Sequence, residues 1–141
     1  MAENQTSVGQ NVRTTARRPQ GMVKSRSYPE WIEFCANQLQ AAQCLEDNWN
    51  SYGGLKTNSL SALHASNFLD RLARTVSVLQ PLIAVNASGN ICFEWDTGSW
   101  LMNVEITPQG EAKYYYEKGD EEVESKDIGE YKTIIQYLTR H

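Results

Sequence analysis

Between Ile91 and Glu124 apolar and polar residues alternate, and the alternation is broken at Thr97-Gly98, Pro108-Gln109-Gly110 and Lys118-Gly119. Each break carries residues that reverse a chain. This stretch therefore predicts consecutive antiparallel strands joined by short hairpin turns. A turn centred on Thr97-Gly98 pairs Trp95 with Trp100, Phe93 with Met102 and Ile91 with Val104. Pro108 suits the first position of a type I turn and Gly110 its left-handed residue, which pairs Ile106 with Ala112, Val104 with Tyr114 and Met102 with Tyr116. A turn at Lys118-Gly119 returns an edge strand from Glu121 to Glu124, with Val123 opposite Tyr114. All these apolar partners share one face. On the other face lie Glu94, Leu101 and Tyr115, with Lys113 between Glu105 and Glu124.

An apolar sheet face needs a cover, and three helical patterns supply one. Pro29 suits a first helical turn, and Trp31, Phe34, Cys35, Ala42 and Leu45 recur at helical spacing, so a helix is expected to about Asp47. Ser59 is the expected N-cap of a second helix, with Ala62, Ala65, Leu69, Leu72 and Val76 as its apolar stripe. Asp127-Ile128-Gly129-Glu130 resembles a capping box, followed by Tyr131, Ile134, Ile135 and Leu138 at helical spacing. The expected fold is α+β: two N-terminal helices, a four- to five-stranded antiparallel meander and a C-terminal helix, the helices covering one sheet face. At 141 residues there is room for one domain, placed at 29–141.

Charge divides the chain. Residues 1–28 carry Arg13, Arg17, Arg18, Lys24 and Arg26 against Glu3, while the net charge of the whole chain is −4. The segment 1–28 is polar with few apolar residues and reads as a flexible basic arm that orders, if at all, on a partner. No apolar run reaches the roughly 20 residues of a membrane span, and the N-terminus lacks the apolar stretch of a secretory signal. The expectation is a soluble, cytoplasmic chain with no membrane partner.

Cys35, Cys44 and Cys92 are scattered and form no CxxC pair, and there are two histidines. Buried free thiols are expected, with no metal site and no cofactor. His64 falls beside the centre of the second helix's stripe, near Arg71, and its pairing with Cys44 or Cys92 is not indicated by spacing. Glu94 and Glu105 share the outer sheet face with Cys92, Asn103 and Lys113, a pattern that fits a solvated surface better than a catalytic pair. Gly53-Gly54 lacks the lysine and preceding strand of a phosphate-binding loop. The sequence therefore reads as non-enzymatic.

The densest group of unusual residues is Asn48-Trp49-Asn50-Ser51-Tyr52-Gly53-Gly54, between the two N-terminal helices. Trp49 and Tyr52 either fold back onto the helix junction or stay exposed as interface anchors. Trp49 to Gly54, followed by Ser59 opening a helix and by Phe93-Glu94-Trp95, resembles the W-D-G-Y-G-A motif of a family of small bacterial and phage proteins. The resemblance covers about residues 45–118 and departs at Asn50, Ser51 and Gly54. Members of that family are similar to accessory proteins of mobile elements and toxin–antitoxin loci. The resemblance implies binding rather than catalysis and supplies no catalytic residues.

These readings converge on a non-catalytic protein-binding module of antitoxin, immunity or inhibitor type in a bacterial or phage conflict system. It would occlude a protein partner such as a toxin, nuclease or defence component. The residues expected to meet that partner are Arg13, Arg17 and Arg18 in the arm, Trp49 and Tyr52 in the loop, and Glu121, Glu122 and Glu124 on the acidic edge. The alternative is a nucleic-acid-associated regulator with the arm on phosphates. A third reading is a small hydrolase using Glu94, Glu105 or His64.

Overall fold

The computed structural model describes residues 29–75, 77–125 and 131–141. The arm with Arg13, Arg17 and Arg18, Val76 of the second stripe and the capping box at Asp127–Glu130 lie outside the described residues. The element order is α1 (Trp31–Ala42), α2 (Ser59–Ala73), β1 (Leu82–Val85), β2 (Ile91–Asp96), β3 (Trp100–Ile106), β4 (Ala112–Lys118), β5 (Glu121–Glu124) and α3 (Tyr131–Leu138). The five strands pair in chain order as one antiparallel sheet, and the helices pack on one of its faces. The α+β fold expected from the sequence is the fold observed. No helix among the described residues is long and apolar enough to cross a membrane.

Packing follows the alternation. Ile91, Phe93, Met102, Val104, Ile106, Ala112 and Tyr116 are fully buried on the inner face beneath Cys35, Ala65, Leu72 and Ile134 of the helices. Phe68 of α2 meets Phe93 edge-on, with ring centroids 4.9 Å apart. Sealing side chains of this size from water is the main source of stability, worth about 1.5–3 kcal/mol for each.

The β3–β4 register is the expected one, with Val104 opposite Tyr114 and Met102 opposite Tyr116. The two tighter hairpins differ from expectation in the same way. In β2–β3, Trp95 faces Met102, Phe93 faces Val104 and Ile91 faces Ile106. In β4–β5, Tyr116 rather than Tyr114 faces Val123, and Glu124 faces Tyr115 rather than Lys113. Gly98 and Gly119 both have positive φ, at 87° and 59°, and each is the first central residue of its turn rather than the second. Moving a turn by one residue moves the pairing by two, so every inward side chain still points inward.

The helices also correct three expectations. α1 ends at Ala42, not near Asp47, because Gln43, Cys44 and Leu45 donate to the carbonyls of Gln40, Ala41 and Ala42, tightening the last turn to an i→i+3 pattern. Phe34 lies off its buried stripe, which runs through Cys35 and Leu39. The cap of α2 is Asn58 rather than Ser59: its side-chain oxygen accepts from the backbone N–H groups of Leu60 and Ser61 at 2.9 and 3.1 Å.

Candidate interaction surfaces

The loop between α1 and α2 is tied by its own polar groups. The Asn48 N–H donates to the Gly54 carbonyl at 2.6 Å, closing the ring. Asn48 Oδ1 accepts from the Gly53 N–H, and Asn50 Oδ1 accepts from both Tyr52 and Gly54 N–H groups at 2.9 Å. A Cβ added at Gly54 would sit 2.8 Å from that Asn50 oxygen, so a side chain there would push the Asn50 amide aside. Asn48 and Ser51 both hold φ at +66°, a left-handed conformation that costs a non-glycine residue about 1–2 kcal/mol.

The ring is fixed to the body at its C-terminal side. Leu55 N–H donates to Ala87 O and Asn58 N–H to Gly89 O, both in the β1–β2 turn, while Asp47 Oδ1 accepts from Lys56 N–H. The two aromatic residues have opposite fates. Trp49 is half-buried and its Nε1–H donates to the Leu55 carbonyl at 2.8 Å, so it serves the frame. Tyr52 is 91% exposed at the tip.

The expected acidic site divides. Glu121 points to the helix side, where Arg140, in the turn that follows α3, pairs with both its carboxylate oxygens at 3.3 and 3.4 Å and lies over the Tyr116 and Tyr137 rings. Glu122 and Glu124 are exposed on β5 and, by alternation, face the other way. The loop is anchored beside β1 and β5 is the opposite edge of the sheet, so the structure does not bring Trp49 and Tyr52 together with the glutamates.

The outer sheet face has no helix on it among the described residues. Glu94, Asp96, Glu105, Glu117, Glu122 and Glu124 alternate there against Lys113, around half-buried Leu101 and Tyr115. Glu105 Oε2 accepts from the side-chain amides of Asn86 and Asn90, both at 2.8 Å, which commits it to holding the β1–β2 turn. Cys92 lines the same shallow depression, and burial, followed by Glu105 and Glu94, pushes its thiol up to about 12. Burial does the same to Cys35. Neither is a thiolate nucleophile near neutral pH. The Tyr115 hydroxyl donates to Glu117 at 2.8 Å, and that bond pushes its pKa up to about 12.

His64 lies on the helix side, against Gly110, in a cavity of about 200 Å³ shared with Asn67, Phe68, Arg71 and Tyr131. It is near Arg71 as the sequence suggests, and the sheet separates it from Cys92, Glu94 and Glu105. One cluster escaped the sequence reading. The His141 ring stacks on Trp100 at 4.3 Å and its Nε2 is 2.9 Å from the Tyr116 hydroxyl. A terminal Arg-His beside a tyrosine-rich helix was its only sequence trace.

A second feature that the sequence reading missed is a groove of about 400 Å³ beside β1, where Phe34, Leu79 and Leu82 stand 55%, 49% and 53% exposed. Gln38 lines it, and its buried Oε1 has no hydrogen-bond partner among the described residues. No family model, curated protein or solved structure matches this chain.

Proposed function

We propose that the chain is a non-catalytic protein-binding module of inhibitor, antitoxin or immunity type, acting by occluding a partner protein. The observation that carries this reading is the loop of residues 48–54, a ring closed by hydrogen bonds that holds Tyr52 91% exposed. A tyrosine on a rigid frame offers a large amphipathic contact with little ordering cost on binding. The placement in a bacterial or phage conflict system rests on the motif that Trp49–Gly54 resembles. Glu122 and Glu124 add a second surface suited to a cationic partner. The hydrolase reading loses support because His64 and the Glu94–Glu105 pair lie on opposite sides of the sheet.

The test is recovery of partners from the native host on full-length protein after nuclease treatment, with wild type and Tyr52→Ala in parallel. One stoichiometric protein partner is expected on wild type. Tyr52→Ala is expected to weaken binding by about tenfold or more, with unfolding unchanged to within about 0.5 kcal/mol. Equal binding by the variant would remove the loop from the interface. Loss of every partner on nuclease treatment would favour the nucleic-acid reading, in which Arg13, Arg17 and Arg18 neutralise phosphates and affinity falls steeply with salt.

A further inference from the structure

The two sheet edges are built differently. β5 reads Glu-Glu-Val-Glu and is blunted by charge, whereas β1 reads Leu-Ile-Ala-Val and carries none. The outward backbone groups of β1 follow from its register. Asn86 N–H donates to Asn90 O, and Ala84 faces Cys92 as Leu82 faces Glu94, so the groups of Leu82 and Ala84 turn toward β2. Those of Ile83 and Val85 turn outward, and no described residue pairs with them. Beside this edge lies the groove with exposed Phe34, Leu79 and Leu82, the unpartnered Gln38 Oε1, and the carboxylates of Glu94 and Asp96 on its wall. An uncharged edge, an apolar floor, an orphan acceptor and an acidic wall together call for an extended strand that brings N–H donors, apolar side chains and positive charge.

We propose that this groove is the docking site for residues 22–28 of the same chain, Met22-Val23-Lys24-Ser25-Arg26-Ser27-Tyr28, which add to the sheet beside β1. Three observations select this occupant. In an extended strand Met22, Lys24, Arg26 and Tyr28 share one face, so two cations flanked by two large side chains meet Leu82, Glu94 and Asp96, while Val23, Ser25 and Ser27 face the helix side. The segment ends at Pro29, and Phe34 of the groove lies about 7.5 Å further along α1. Seven residues span about 23 Å extended, enough to reach the groove and run the length of β1. A second copy pairing edge to edge would instead add another Glu94 and Asp96 to the same face, with like charges opposed. The proposal does not depend on the loop at 48–54.

The test is hydrogen exchange of the Ile83 and Val85 amides in the full-length chain, read by NMR. In wild type both amides are expected to exchange about tenfold or more slowly than in Lys24→Glu/Arg26→Glu. Adding Glu94→Lys/Asp96→Lys to that variant is expected to restore protection. Should the quadruple variant unfold, Ser25→Pro, which removes a strand donor in the arm, supplies a second loss of protection. Equal exchange in wild type, the charge-reversed arm and Ser25→Pro would overturn the proposal. So would wild-type protection that disappears on dilution, since that outcome assigns the groove to a second copy.

Discussion

At the scale of single residues, the loop shows how one side chain can serve the frame so that another is free. Trp49 gives its N–H to Leu55 and Asn50 gives one oxygen to two backbone N–H groups, and what remains outside is Tyr52. The frame carries a local strain at Ser51, where φ is +66°. Ser51→Gly relieves that strain and loses some of the gain to a freer unfolded chain. It is expected to stabilise the protein by about 0.5–1 kcal/mol in urea unfolding, with partner binding unchanged. Destabilisation would show that the Ser51 side chain contributes something the hydrogen bonds do not reveal. Whether Trp49 or Tyr52 would be buried was not legible in the sequence. The answer turns on a carbonyl at Leu55 whose direction is set by the β1–β2 turn, some thirty residues along the chain.

At the scale of elements, Ser61 joins a helix to two strands. Its hydroxyl donates to Ile106 O at 2.7 Å and accepts from Ile91 N–H at 2.9 Å, bridging the end of the β2–β3 ladder from within α2. Ser61→Ala leaves a buried donor and a buried acceptor unpaired, and a loss of about 2–4 kcal/mol is expected in equilibrium unfolding. A loss below about 0.5 kcal/mol would mean that the two strands re-pair directly. The sequence showed Ser61 only as a polar residue beside an apolar stripe. What it did show was periodicity: inward and outward faces were legible for the four strands from Ile91 to Glu124, because alternation survives a shift of two, whereas β1, Leu-Ile-Ala-Val, carries no alternation to read. The β3–β4 register was legible because Pro108 and Gly110 admit one turn. The other two registers were not, since Gly98 and Gly119 suit either central position of a two-residue turn; in the fold both take the first, which sets Trp95 opposite Met102 and Tyr116 opposite Val123. The end of α1 was hidden for a similar reason, as Leu45 fits a helical stripe as well as a tightened turn.

At the scale of the molecule, charge and titration follow the layers. The helix side ends in the stack of His141 on Trp100, and burial, then Lys118 and Arg140, hold the His141 pKa below its ordinary 6.5. A depressed histidine pKa means that the folded state favours the neutral ring. Its contribution to stability is therefore complete above pH 6.5 and is lost as pH falls through the lowered value. The stability difference between wild type and His141→Gln is expected to shrink on acidification across that window, measured by urea unfolding at a series of pH values. A constant difference would separate the stack from protonation. The opposite face is a field of carboxylates that discourages sheet-to-sheet stacking of two copies. Between these layers the loop is joined to the body through Asp47, Leu55 and Asn58, yet its ring closes on itself between Asn48 and Gly54. Such a ring is an exchangeable cassette. The residue displayed at position 52 can be rewritten with no core contact to re-optimise, so under the proposed function descendants of this fold would change what the loop meets faster than they change their shape.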